Sequence, residues 1–182
     1  MRPIVNSTFV SLDGVINHME AWHFDYVDDE LGAIARDQLF TSDAMLMGRA
    51  TYESYAGVWP SRSDEYADRI NTIPKYVVST TLTAPEWENT TVISGDMVDE
   101  ARALKARDGQ GILMHGYGPV AKTLLREGLL DELHLWVHPA FAGVGEGDDL
   151  LLEPGLKTTL QLTGTQTLQS GIVLLSYRTQ AT

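Results

Sequence analysis

Apolar residues fall along this chain in two alternating patterns: short continuous runs, and longer stretches in which they recur at helical spacing. The runs predict strands at 4–10, 44–47, 76–79, 91–94, 112–114 and 133–137. The stretches predict helices at 29–40, 50–55, 64–70, 98–107, and from Pro119 towards a stop at Gly128. Within 29–40, Leu31, Ile34, Ala35 and Leu39 share one face, and acids stand at the start, where the helix dipole favours them. Two further runs, 160–165 and 172–177, flank Ser170-Gly171 and read as an antiparallel hairpin. Residues 15–28 are irregular and aromatic, and 143–149 form a Gly/Asp-rich loop. Helices set between strands require a mostly parallel sheet covered by helices, and the closing hairpin adds antiparallel edge strands. The predicted architecture is a three-layer α/β fold: a mostly parallel twisted sheet with an antiparallel C-terminal hairpin, in a single domain spanning 1–182.

Composition narrows the function classes. A chain of 182 residues, 43% hydrophobic and 21% charged, suffices for one sizeable core. It contains no cysteine, which excludes disulfides and thiolate chemistry. A net charge of −12 argues against nucleic acid or an anionic membrane as a general partner. It still allows one anionic ligand held by local donors. No run is long enough to span a membrane, and the chain enters a strand at once without a signal-peptide core, so a cytoplasmic location is expected.

Three strand ends carry candidate chemistry. Gly116-Tyr117-Gly118 joins the 112–114 strand to a helix that begins at Pro119, a residue suited to the first helical position. A glycine turn at a helix start lets a phosphate approach free N–H groups and the positive end of the dipole. Left-handed backbone at these glycines, Gly118 included, explains the turn equally well. Gly116, Gly118 and Ala121 match G-x-G-x-x-A, but the motif lies late in the chain and Asp131 and Glu132 precede the next strand. A Rossmann fingerprint would stand in the first βαβ unit with its acid at the end of the following strand, so the turn is not on a Rossmann scaffold. At the second strand end, Gly48, Arg49 and Thr51 offer close approach, a guanidinium and a hydroxyl; the plainer account is an Arg49–Glu53 surface pair. The third ends in Ser79, Thr80 and Thr81. In parallel-type sheets ligands lie beyond the carboxyl ends of strands, where all three clusters fall.

Taken in order, Ser11-Leu12-Asp13-Gly14, Met47-Gly48-Arg49-Ala50-Thr51-Tyr52-Glu53, Tyr76-Val77-Val78-Ser79-Thr80, Gly116-Tyr117-Gly118, Gly128-Leu129-Leu130-Asp131-Glu132-Leu133 and the closing Ser170-Gly171-Ile172 resemble the dihydrofolate-reductase-like family. The nearer resemblance is to the branch that includes the riboflavin-biosynthesis reductase C-terminal domain, and it covers essentially the whole chain. The resemblance implies an NADPH-dependent oxidoreductase acting on a small pteridine-, pyrimidine- or other heterocycle-like substrate. It implies that Gly48, Arg49 and Thr51 meet the adenosine-side phosphates, that Ser79 and Thr80 line the ribose or 2′-phosphate, and that Gly116, Tyr117 and Gly118 take the pyrophosphate. It also implies a carboxylate near the first helix that grips the substrate.

Residues 13–37 hold seven carboxylates against a single arginine, Arg36. Asp13 and Asp28 are the catalytic candidates, and Trp22 and Asp25 the substrate-facing ones. Each acid also has a structural reading: Asp28 and Asp29 as helix cap and first turn, Asp13-Gly14 as a turn. Trp22, Phe24 and Trp59 are able to stack on a flat ring, although aromatics are more often core. His134 and His138 share a strand face but lie ~13 Å apart along it, too far for one metal, and no metal is expected. No G-x-S-x-G elbow is present. The rival class is a non-catalytic, nucleotide-binding homodimeric scaffold. In that reading His134, Trp136 and His138, on a strand expected at the sheet edge, form the interface.

Overall fold

In the computed structural model, which describes residues 1–179, β1 (Ile4–Val10) is a central strand of one eight-stranded sheet. The remaining strands are β2 (Ser42–Gly48), β3 (Lys75–Val78), β4 (Thr90–Ile93), β5 (Gly111–His115), β6 (Glu132–Val137), β7 (Leu160–Thr167) and β8 (Val173–Thr179), and the order across the sheet is β4-β3-β2-β5-β1-β6-β8-β7. Six strands, β4 to β6 in that order, run parallel; β8 is antiparallel to both β6 and β7. All six parallel strands therefore end at one edge.

Helices α1 (Asp29–Phe40), α2 (Arg49–Ala56), α3 (Glu65–Thr72), α4 (Met97–Ala106) and α5 (Pro119–Arg126) cover the faces. On one face Ile4, Val10, Ile112, Met114 and Leu133 pack with Ala101 and Leu104 of α4 and Leu124 of α5. On the other, Met45, Met47, Val77 and Leu113 pack with Leu39 of α1, Tyr52 of α2 and Ile70 of α3. Each such side chain contributes about 1.5–3 kcal/mol by leaving water, which is what presses the helices onto the sheet.

One expectation fails. β6 is not an edge strand: β1 flanks it on one side and β8 on the other, leaving β4 and β7 as the edges. Trp136 is 1% exposed, packed with Leu31, Leu168, Ile172 and Leu174. Apolar alternation reveals which faces of a strand are covered, but not which strand lies beside it. The closing hairpin covers Trp136 within a single chain.

Candidate functional site

Two glycine turns meet beyond the carboxyl edge. Gly48 caps α2 and Gly118 caps α5, both in extended conformation, and neither helix has a side-chain N-cap. Their first-turn N–H groups are therefore left for solvent or a ligand. A Cβ on Gly48 would lie 3.4 Å from Val120 Cγ2 of α5, and one on Gly116 would lie 3.6 Å from Thr51 Oγ1 of α2. The left-handed residue of the second turn is Gly116, with φ +77°, not Gly118 at −83° as the sequence suggested. Around Gly118 a Cβ would meet nothing within 4 Å. The left-handed turn is made just after β5, at a glycine that adopts it freely, so that Gly118 enters the helix in ordinary geometry.

The neighbouring strand end adds charge and hydroxyls. Arg49 Nε donates to Glu53 Oε1 at 2.6 Å, and its Nη1 donates to Thr81 Oγ1, joining α2 to the loop after β3. The surface pair that the sequence allowed does form, yet the guanidinium remains about half exposed. Ser79 Oγ accepts from the N–H groups of Thr81 (3.2 Å) and Leu82 (3.0 Å), so it shapes the loop, while Thr80 is exposed. Tyr117 is a core residue, 3% exposed, with its phenol pushed up to about 12 by burial. Only its main chain is left to face a ligand.

β1 outruns β5 at the same edge. Their pairing stops at Ser7↔His115, while β1 stays paired with β6 as far as Val10↔Val137. Asp131 N donates to Ile4 O and His138 N to Val10 O on the β6 side, whereas Ile112 N donates to Pro3 O on the β5 side. Alternation along the strand turns the N–H and carbonyl of Phe9 to the side where β5 has ended. That leaves a slot in the strand order beside β1, where no strand pairs with Phe9 and its carbonyl accepts from Thr8 Oγ1 at 3.4 Å.

The acids singled out in the sequence have other tasks. Asp13 accepts from Ser11 Oγ (2.5 Å), Ala142 N (2.9 Å) and Gly143 N (2.8 Å), and these hydrogen bonds hold its carboxyl down to about 2. It is ionised at neutral pH and has no proton to give; it clamps the 139–147 loop to the turn that follows β1. Asp28 is the N-cap of α1, its Oδ1 accepting from Leu31 N at 2.8 Å. Asp25 is exposed in a short 3₁₀ turn, Phe24–Tyr26. Trp22 is buried rather than presented to a ligand: its Nε1 donates to Asn17 O at 2.9 Å and its ring lies 4.9 Å from that of His138. Phe24, 66% exposed, is the freer aromatic.

Two features had no signal in the sequence. His23 Nδ1 and His138 Nε2 are 2.9 Å apart, buried, with the His23 ring stacked 4.2 Å over Phe9. His138 Nδ1 donates to Trp136 O at 2.9 Å, so in the neutral pair His23 is the donor. Desolvation, and then the neighbouring His138, lower His23 to about 4. The second feature is Asn6, wholly buried in β1, whose Nδ2 donates to Gly116 O at 2.7 Å. These partners are 115 and 110 residues apart, beyond the reach of any local pattern.

A mostly parallel sheet with an antiparallel closing hairpin, and two glycine-bearing strand-to-helix turns in contact beyond its carboxyl edge, define an α/β domain of dihydrofolate-reductase-like fold. A family model, the RibD C-terminal domain, matches residues 2–174, and the chain belongs to that family. It is 28% identical over 185 residues to the uncharacterized protein YyaP of Bacillus subtilis strain 168, covering 97% of this chain and 94% of that one. Among solved structures, a protein named for riboflavin biosynthesis from Shewanella sp. PV-4 superposes with a TM-score of 0.71 at 22% identity, covering 99% of each chain. A pyrimidine reductase-like protein from Corynebacterium diphtheriae gives 0.70 at 14% identity, covering 98% of this chain and 92% of that one. The diaminohydroxyphosphoribosylaminopyrimidine deaminase/5-amino-6-(5-phosphoribosylamino)uracil reductase of Thermotoga maritima gives 0.65 at 16% identity; 98% of this chain matches 57% of that longer one. Among the described residues no helix is long and apolar enough to cross a membrane.

Proposed function

We propose that this chain is an NADPH-dependent reductase of a small pteridine-, pyrimidine- or other heterocycle-like substrate. The observation that carries the reading is the contact between the two glycine turns, Gly48 beside Val120 and Gly116 beside Thr51, with Arg49 half exposed next to them. The open space at Gly118 and the uncapped first turns of α2 and α5 fit a pyrophosphate. Gly48, Arg49 and Thr51 would hold the adenosine-side phosphates, Thr80 and the loop shaped by Ser79 the ribose or 2′-phosphate, and the main chain of Gly116, Tyr117 and Gly118 the pyrophosphate. The bound cofactor supplies the hydride; the protein's part is alignment and exclusion of water. The Phe9 main chain offers a donor and an acceptor to a planar amide in the slot. Asp25 and its neighbours supply negative charge for an amino-bearing ring. The family to which the chain belongs, and the pyrimidine reductase names carried by two structural neighbours, support the same reading.

The test is a titration of tryptophan fluorescence with NADPH and NADH, followed by turnover assays on reducible heterocycles. Tighter binding of NADPH is expected, because a 2′-phosphate gains charge-assisted hydrogen bonds at Arg49. Equal affinities, or no binding at millimolar levels, would sink the reading. One observation favours the scaffold alternative: Asp13 and Asp28 are both engaged in structural hydrogen bonds. Binding without turnover would select it. The reading includes a cytoplasmic homodimer, for which light scattering should give about twice the chain's 20.1 kDa. With β6 internal, its interface has to lie elsewhere than at Trp136.

A further inference from the structure

We propose that Asn6 is a positioning residue that turns the N–H of Tyr117 towards the cofactor's pyrophosphate; the proposal rests on the nucleotide reading above. Asn6 lies in the middle of β1, is 0% exposed, and is paired laterally with Met114 and Leu133. Its Nδ2 donates to Gly116 O, drawing that carbonyl back towards β1. The chain has no cis peptide among its described residues, and in a planar trans peptide the N–H points opposite to the carbonyl. The peptide from Gly116 to Tyr117 therefore directs the Tyr117 N–H away from β1, the side of β5 on which Gly48 and Thr51 lie. No acceptor among the described residues meets that N–H.

Left-handed Gly116 is what permits this orientation, since glycine adopts φ +77° without a Cβ penalty. The same freedom lets the peptide flip, and a flipped carbonyl would present negative charge to a phosphate. Asn6 is the group on the page that selects between the two. Pro119, which has no N–H, makes the choice matter more, because one donor of the helix start is already missing.

The second observation is a cost. Asn6 Oδ1 is buried and has no hydrogen-bond partner. A central strand position filled by leucine would carry no such orphan, so stability alone does not account for an amide here. A group that binds less well than an apolar one would, yet holds the turn, is placed for what the turn does.

The experiment compares wild type with Asn6→Leu by thermal melting and NADPH titration, and follows the wild-type Tyr117 amide by NMR as inorganic pyrophosphate and NADPH are added. The expected result is a melting point close to wild type in Asn6→Leu, removal of the orphaned Oδ1 offsetting the hydrogen bond lost at Gly116 O, with NADPH bound about tenfold more weakly, the scale of one hydrogen bond to an anion. The wild-type Tyr117 amide should shift with both ligands. A folded Asn6→Leu that binds NADPH like wild type overturns the proposal and leaves the nucleotide reading intact. Should Asn6→Leu not fold, the wild-type Tyr117 amide decides: a shift supports the proposal and a still resonance overturns it. Wild-type protein that binds neither ligand overturns both.

Discussion

The indole N–H of Trp136 donates to Ser7 Oγ at 2.8 Å, and that hydroxyl donates in turn to Gln38 Oε1 at 2.8 Å. The chain continues from Gln38 Nε2 to His134 Nδ1 at 3.1 Å, which leaves the His134 Nε2 proton for Glu132 at 3.2 Å. Every bond runs in one direction, so no member can be reversed without orphaning another. The chain ties α1 to β1 and β6 beneath the substrate end of the edge. Gln38→Leu should therefore leave the buried Ser7 hydroxyl without its acceptor and cost about 1–3 kcal/mol in urea unfolding. Trp136→Glu should yield little folded protein, because it places a carboxylate where the indole is 1% exposed. A folded, monomeric Trp136→Glu protein would restore the interface role that the fold denies it.

Acid should weaken the fold through the histidine pair. Folded His23 is held near 4 against 6.5 when free, so between those values the unfolded chain binds more protons. Stability is complete above about pH 6.5, falls as pH drops through the window, and levels off below about 4. His115, buried against Tyr55 OH at 2.9 Å and also lowered to about 4, acts in the same direction. The ring neighbours of the pair are Phe9, Trp22, Phe24 and Tyr26, with only the Tyr26 phenol titratable among them. Unfolding free energies from urea titrations at pH 7.5 and 4.5 should differ by several kcal/mol, on the order of 2 from each of His23 and His115. His23→Gln, which keeps a donor to His138, should shrink that difference; an unchanged slope would assign it to other groups.

Gly118→Val should weaken NADPH binding while leaving the melting point nearly unchanged. The backbone at Gly118 is extended and its Cβ direction is empty, so a β-branched residue fits the fold and fills the space reserved for phosphate. Normal binding by the folded variant would make the turn purely structural.

Arg49→Ala should bring the NADPH and NADH dissociation constants together, with a stability change within about 0.5 kcal/mol, since exposed i,i+4 pairs such as Arg49–Glu53 are worth little. A persisting preference for NADPH would move the 2′-phosphate away from Arg49.

The elements were legible because period and capping residues agree locally. The helix predicted over 29–40 is α1, with Asp28 its cap as anticipated and Pro119 opening α5. The three strand ends suspected of binding a ligand do lie on β2, β5 and β3 at one edge. What escaped were relations set by neighbour order. The edge position wrongly expected for β6 depended on where β8 would return. His23–His138 and Asn6–Gly116 join segments that share no pattern, and the left-handed residue of the glycine turn depended on where that carbonyl would find a donor.

The central position of β1 also has a temporal meaning. Of the eight strands, β1 comes earliest in the chain and is among the last to find its neighbours: Ile4 waits for Ile112, and Val5 for Glu132. β2, β3 and β4, all drawn from residues 42–93, can assemble among themselves well before that. Closing loops of more than a hundred residues is slow, so the topology favours early pairing of β2, β3 and β4, with β2 waiting for β5 on its inner side. The carboxyl edge is thus complete only once β5 and β1 stand between β2 and β6, and its two glycine turns, from segments nearly seventy residues apart, meet no earlier than that.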